Sequence, residues 1–281
     1  MDGRRVLITG GNTGLGKETA VALARIGANV VFTTRDTQKG AAALTEIQAR
    51  SGSRAVEVME LDLARLDSVR EFASQFGQRY DRLDVLVNNA GLLLGSRRET
   101  FDGYEMTFQV NHLGPFLLTT RLRDQLVAGD RARVVNVASA AHASARRGLD
   151  FDDLQSTHRY RTLSVYAKSK LANILFTREL ARRWDESGIT ANAVHPGFVA
   201  SDFGRGGDMG RFAGLAYPVI RVLARTPEEG ARTQVYVASA PELEGVTGGY
   251  WAKSAPATPS PAALDDAAAA RLWEASEQLV S

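Results

Sequence analysis

Tyr166 and Lys170 stand four positions apart in SVYAKSKLAN, residues 164–173. At that spacing two side chains share one face of a helix. A phenol beside an ammonium group is a pair of titratable neighbours, and its ordinary reading is packing plus a solvated charge. Two further polar residues lie where a ligand could use them. Ser139 closes the apolar run ARVVNVAS, at the carboxyl end of a predicted strand, the side on which open α/β sheets bind ligands. Asn111, in VNHLGPF, falls inside a predicted helix, where an amide competes with the backbone and requires a partner.

The first apolar run is followed by TGGNTGLGKETA, with glycines at 10, 14 and 16. A turn this tight needs residues without Cβ, and so does close approach of a phosphate. The free N–H groups of the following helix start, together with its dipole, suit a pyrophosphate. Gly10, Asn12, Thr13, Gly14, Leu15 and Gly16 are therefore candidate dinucleotide ligands. The second strand ends VVFTTRD, placing Thr34 where a ribose-binding acid would stand and Arg35 beside it. A planar guanidinium suits a 2′-phosphate, so NADP(H) is expected over NAD(H). The competing reading leaves Arg35 in solvent and gives Asp36 the ribose, one residue out of register. After the third strand, Asp62 has two readings: a hydrogen bond to adenine, with Leu63 packed on the ring, or a helix cap for ARLDSVREF. NNAG, with Asn89, Ala90 and Gly91, ends the fourth strand where a crevice opens and a cofactor ribose could approach.

These residues need a frame. Apolar runs at 5–10, 29–34, 55–62, 84–91, 132–139, 190–197 and 248–251 read as strands, and the segments between them carry helical apolar spacing. Alternating strands and helices imply βαβ units. The expectation is one α/β, doubly wound Rossmann domain over residues 1–255, with a mainly parallel seven-stranded sheet and helices on both faces. Residues 202–225 begin Gly-rich and turn apolar, as a lid would. Residues 256–281 form a Pro/Ala loop and a predicted helix over about 262–279, docking on the core or on another subunit.

Composition narrows the chemistry. The 281 residues carry a net charge of +2 and contain no block of basic residues, which argues against nucleic acid. There is no cysteine, which excludes disulfides and thiolate nucleophiles. The four histidines are dispersed, so no metal site is expected. No apolar run approaches the roughly 20 residues of a membrane span. The apolar strand begins almost at once, so a cytoplasmic protein without leader or anchor is expected.

TGGNTGLG, LDL, NNAG, Asn111, Ser139, YAKSK and HPGFVAS, in this order, resemble the short-chain dehydrogenase/reductase family over almost all of residues 4–251. TGGNTGLGKETA, YAKSKLAN and the tail look most like its retinol-dehydrogenase branch and bacterial relatives, a branch that prefers NADP(H). The resemblance implies that Tyr166 gives or takes the proton at the substrate oxygen. Lys170, with the positive nicotinamide, would lower the phenol's pKa from near 10 and hydrogen-bond the nicotinamide ribose. Ser139 would hold the substrate oxygen, and Asn111 would fix a water relaying protons to Lys170. A long insert before Tyr166 raises Ser144 as a rival to Ser139, which is favoured by its place at the strand end. Pro196, Gly197, Val199 and Ser201 would close over the nicotinamide carboxamide. By this resemblance the protein exchanges hydride between NADP(H) and an apolar alcohol, aldehyde or ketone. Relatives are commonly dimers or tetramers built through the helices flanking the tyrosine. The alternative is a cofactor-binding sensor without turnover.

Overall fold

Alternate residues of the first strand, β1 (Arg5–Ile8), point to opposite faces: Val6 and Ile8 enter one core and Leu7 the other. That pattern recurs along the sheet, so each face is apolar and each must be covered. In the computed structural model, which describes residues 1–198 and 226–281, helices cover both. After β1 come α1 (Gly14–Arg25), β2 (Asn29–Thr34), α2 (Thr37–Ser51), β3 (Val56–Glu60), α3 (Leu66–Arg79) and β4 (Val85–Asn88). Then follow α4 (Met106–Phe108), a π-helical turn (Gln109–Leu113), α5 (Gly114–Arg121), α6 (Arg123–Val127) and β5 (Arg133–Val137). The rest is α7 (Thr162–Arg183), β6 (Thr190–His195), α8 (Pro227–Ser239), β7 (Tyr250–Ala252), β8 (Ala255–Pro256) and α9 (Asp266–Val280).

The strands lie in the order β3-β2-β1-β4-β5-β6-β7-β8, parallel except for the last pair. The chain therefore reverses its direction of travel across the sheet between β1 and β4. The loops leaving those two strands diverge there, and a crevice opens at their carboxyl ends. The expected seven strands are present, and an eighth is added. Lys253 and Ser254 both have positive φ, 55° and 57°, and make a two-residue turn into antiparallel β8. Turns of this kind usually carry Gly or Asn, and Lys-Ser here carries no such signal. The division expected at 255/256 consequently falls inside β8. Several strands are also shorter than expected, because residues 61–62, 89–91 and 138–139 leave the ladder for the site side of the sheet.

The C-terminal segment packs against the core. Leu272, Trp273, Ser276 and Val280 of α9 are buried, with Trp273 against Phe116 and Phe176. The last carbonyls of α9 are held by the Tyr104 hydroxyl on Leu279 at 2.6 Å and the Arg70 guanidinium on Val280 at 2.6 Å. Such partners satisfy groups that every helix end leaves open. Residues 202–225, expected as a lid, lie outside the described residues. Among the described residues no helix is long and apolar enough to cross a membrane.

His112, in the π-helical turn, is fully buried among Phe108, Phe116 and Phe176, with Nε2 2.8 Å from the Ser276 hydroxyl. Burial pulls its pKa from 6.5 down to about 3, the Asn173 side chain opposing. The folded value lies below the unfolded one, so the neutral ring's contribution is whole above about pH 6.5 and is lost as pH falls from there toward 3. Urea unfolding at pH 7, 6 and 5 should show stability falling by about 2 kcal/mol through this group. His112→Phe should flatten that slope, and an unchanged slope would place the proton uptake elsewhere.

Candidate active site

Two loops meet at the switch point. Gly10 and Gly14 have positive φ, 65° and 52°, which lets the chain turn from β1 into α1. A Cβ on Gly16 would come within 2.4 Å of the Gly10 carbonyl and 2.5 Å of Asn89 Nδ2. Thr13 caps α1 with no side-chain hydrogen bond, so the first turn keeps N–H groups for an anion. The sequence reading missed Thr9, the residue that knits this turn to the fourth strand. Its buried hydroxyl accepts the N–H groups of Asn89 and Ala90, both at 3.0 Å. Asn89 in turn donates to the carbonyls of Thr9 at 2.9 Å and Gly10 at 3.3 Å. Asn88 faces the other way, donating to Thr119 and Asn136 in the core at 2.9 and 2.8 Å.

At the end of β2, Thr34 is buried and accepts the Asp36 N–H at 3.1 Å, while Arg35 is exposed. Asp36 caps α2, accepting the Lys39 N–H at 3.0 Å and pairing with the Lys39 ammonium at 3.2 Å. Lys39 holds the Asp36 carboxyl below its usual range. The carboxylate that could have competed for a ribose is therefore engaged by its own helix. Asp62 accepts the Ala64 N–H at 3.0 Å and so caps a turn before α3, whose start is held instead by Asp102 on Leu66 N–H at 2.9 Å. Leu63 is buried, against Gly114.

The polar residues converge beyond β4 and β5. Asn111 is fully buried, and the π-helical turn aims its amide across the loop after β4. Its Oδ1 accepts Leu92 N–H at 2.7 Å, and its Nδ2 donates to Leu92 O at 3.0 Å and Ser169 Oγ at 2.9 Å. That amide has the partner its helix position demanded. Its Oδ1 keeps one further acceptor lone pair. Gly91 leaves room for it: a Cβ there would stand 3.2 Å from Asn111 Oδ1 and 3.3 Å from Lys170 Nζ.

Lys170 is 3% exposed, and its Nζ donates to the Val137 carbonyl at 2.9 Å. Burial pulls its pKa from 10.5 down to about 8. Tyr166, one turn earlier, has its phenol beside the Ser139 side chain, and its ring centroid lies 5.7 Å from Lys170 Nζ. Burial pushes the phenol up to about 12, and the Ser139 side chain acts against that rise. The Lys170 ammonium is turned onto Val137, and burial rather than a charged neighbour dominates the phenol. Ser144 is exposed at the end of a 3-10 turn (Ala140–Ser144), so Ser139 is the serine brought to the tyrosine. Pro196 is buried, and Gly197 has φ 90° with its N–H toward His195 Nδ1 at 3.4 Å. Val199 and Ser201 lie outside the described residues.

Comparison with known proteins gives a consistent picture. A family model described as short chain dehydrogenase matches residues 4–150 and 153–207. The chain is 43% identical to human retinol dehydrogenase 13, covering 99% of this chain and 85% of that protein. It is 41% identical to human retinol dehydrogenase 14, covering 100% and 86%. Among solved structures, an uncharacterized Mycobacterium paratuberculosis protein is 36% identical with TM-score 0.79, covering 99% of this chain and 94% of that one. A Pseudomonas aeruginosa RhlG/NADP active-site complex is 27% identical with TM-score 0.70, covering 90% and 95%.

The glycine cradle makes a direct prediction. Gly16→Ala should weaken nicotinamide dinucleotide binding at least about tenfold, since the methyl meets the Gly10 carbonyl as well as the Asn89 amide. Fluorescence titration measures it, and circular dichroism should show the fold retained.

Proposed function

The chain belongs to the short-chain dehydrogenase family and is an oxidoreductase acting on an alcohol/carbonyl pair; from that premise we propose that it uses NADP(H) on an apolar small molecule, with Tyr166 as the acid/base. The observation that carries the reading is the Tyr166 phenol set against the Ser139 side chain, with the Lys170 ammonium buried one turn away. When bound, the nicotinamide supplies hydride exchange at the substrate carbon. Gly10 to Gly16 would hold its pyrophosphate, Arg35 a 2′-phosphate, and Lys170 its ribose hydroxyls, which fits a cradle that a single Cβ would fill. Two solved structures similar to this chain are NADP complexes.

The chain's own groups divide the proton work. A phenol near 12 stays protonated at neutral pH and can donate to a developing alkoxide, while the Ser139 hydroxyl holds the same oxygen. The Lys170 ammonium stabilises the charge left on Tyr166, and it needs its proton to do so. The Asn111 amide pins Leu92 and Ser169, fixing the wall behind Lys170. Retinol dehydrogenases among the relatives support an apolar, long-chain alcohol or aldehyde as substrate. The absence of cysteine supports a reducing compartment, the cytoplasm. A homodimer or homotetramer is part of the proposal; α9 covers one side of α7, so such an assembly must include it or use another face.

Three measurements test this reading. NADPH consumption against a panel of aldehydes, ketones and quinones should be lost in Tyr166→Phe, and Arg35→Ala should cut the preference for NADPH over NADH about tenfold or more. Binding of NADPH without consumption of any carbonyl would favour a sensor. The kcat/KM for reduction should fall as pH rises through about 8, where Lys170 loses its proton. A flat profile from pH 7 to 9 would remove Lys170 from the proton work.

A further inference from the structure

His142 follows Ser139 by three residues and plays no part in the chemistry above. It is 3% exposed, and its ring stands edge-on to Tyr250, centroids 5.2 Å apart. Its Nδ1 lies 2.7 Å from the Ser139 carbonyl oxygen, and the Ser260 backbone N–H lies 3.0 Å from its Nε2. A carbonyl only accepts and a backbone N–H only donates, so the two partners dictate one neutral form: the proton on Nδ1, the lone pair on Nε2. Burial, which pulls this pKa down, agrees with that form. The same Ser139 carbonyl also accepts His142 N–H at 3.1 Å. Two neighbouring bonds complete the turn: Ala141 N–H donates to Ser139 Oγ at 3.2 Å, and Ala140 N–H to His195 Nδ1 at 3.2 Å. Ser139 Oγ thus takes one donor from the turn and keeps its own O–H for a second partner.

We propose that His142 is a positioning residue for the Ser139 hydroxyl, and that the C-terminal segment completes the active site by holding His142 through the Ser260 N–H. A phenyl ring of similar size would pack on Tyr250 equally well and lose both hydrogen bonds. The segment carrying Ser260 is anchored on both sides, by Ala257 N–H on the Tyr250 carbonyl at 2.8 Å and by buried Ala263. It therefore presents a fixed donor to the ring. The inference rests on the reading that Ser139 holds the substrate oxygen.

The test compares wild type with His142→Phe, His142→Asn and Ser260→Pro, all loaded with NADPH. Proline suits the local φ of −63° and ψ of 157°, and puts a carbon where the N–H meets the ring. In His142→Phe and Ser260→Pro, kcat should fall about tenfold with KM for NADPH within about twofold. His142→Asn should recover part of the loss, since its amide still donates to the Ser139 carbonyl. Deuterium uptake over residues 136–146 should rise in the first two variants. In a His142→Ala background, Ser260→Pro should have little further effect. A kcat within twofold of wild type in His142→Phe overturns the proposal, and so does a loss in which kcat, NADPH affinity and melting temperature all move together. Uptake reads the latch without turnover: a wild type that reduces no carbonyl defeats the proposed function, and uptake unchanged by Ser260→Pro defeats this inference.

Discussion

The hydrogen bond from Lys170 Nζ to the Val137 carbonyl ties α7 to the sheet. An ammonium buried to this degree is costly unless its protons are used. The last carbonyl of β5 takes one of them, and Asn173 Nδ2 donates to the same oxygen at 3.1 Å. Two side chains of α7, three residues apart, are thus locked onto one strand end. That lock sets where Tyr166 can reach, and Ser139, two residues beyond Val137, is what it meets. Loosening the bond would move the proposed acid/base, Tyr166, relative to the Ser139 hydroxyl.

Buried polar ladders do the same work on the rest of the sheet. Asn88, Asn136 and Thr177 link β4, β5 and α7 through bonds of 2.8 and 2.9 Å. Each such group would be expensive if left unpaired, so together they favour one register of helix on sheet. Thr9 and Asn89 hold the glycine turn against β4 in the same way, and the crevice keeps its width because both of its walls are bonded to each other.

The C-terminal segment joins this framework from outside. Trp273 and Leu272 bury an apolar face, and Arg178 pairs with Asp266 at 2.6 Å at the start of α9. Two histidines then carry the contact inward, His112 to Ser276 beside Asn111 and His142 to Ser260 beside Ser139. Both are buried, and their rings pack against Phe176 and Tyr250 respectively.

Much of the architecture was written in local patterns. Alternating apolar runs give strands because successive side chains must face opposite cores, and the glycines at 10, 14 and 16 are demanded by a turn that no Cβ fits. The order of Gly turn, Asn111, Ser139 and the Tyr166/Lys170 pair could likewise be read along the chain, since spacing on one helix face is fixed by its pitch. Other features depend on residues far apart in sequence. That Asp36 is engaged by α2, that the Asn111 amide closes on Leu92, and that burial drives the Tyr166 phenol up and the Lys170 ammonium down all come from packing. The Thr9 bridge and the His142 latch left no sequence signal, because a threonine in a strand and a histidine in a turn are ordinary until the fold brings Asn89 and Ser260 to them. Local sequence determined which elements form and which side chains share a face; tertiary structure decided which of those side chains carry charge, because desolvation and partners are properties of the assembled core.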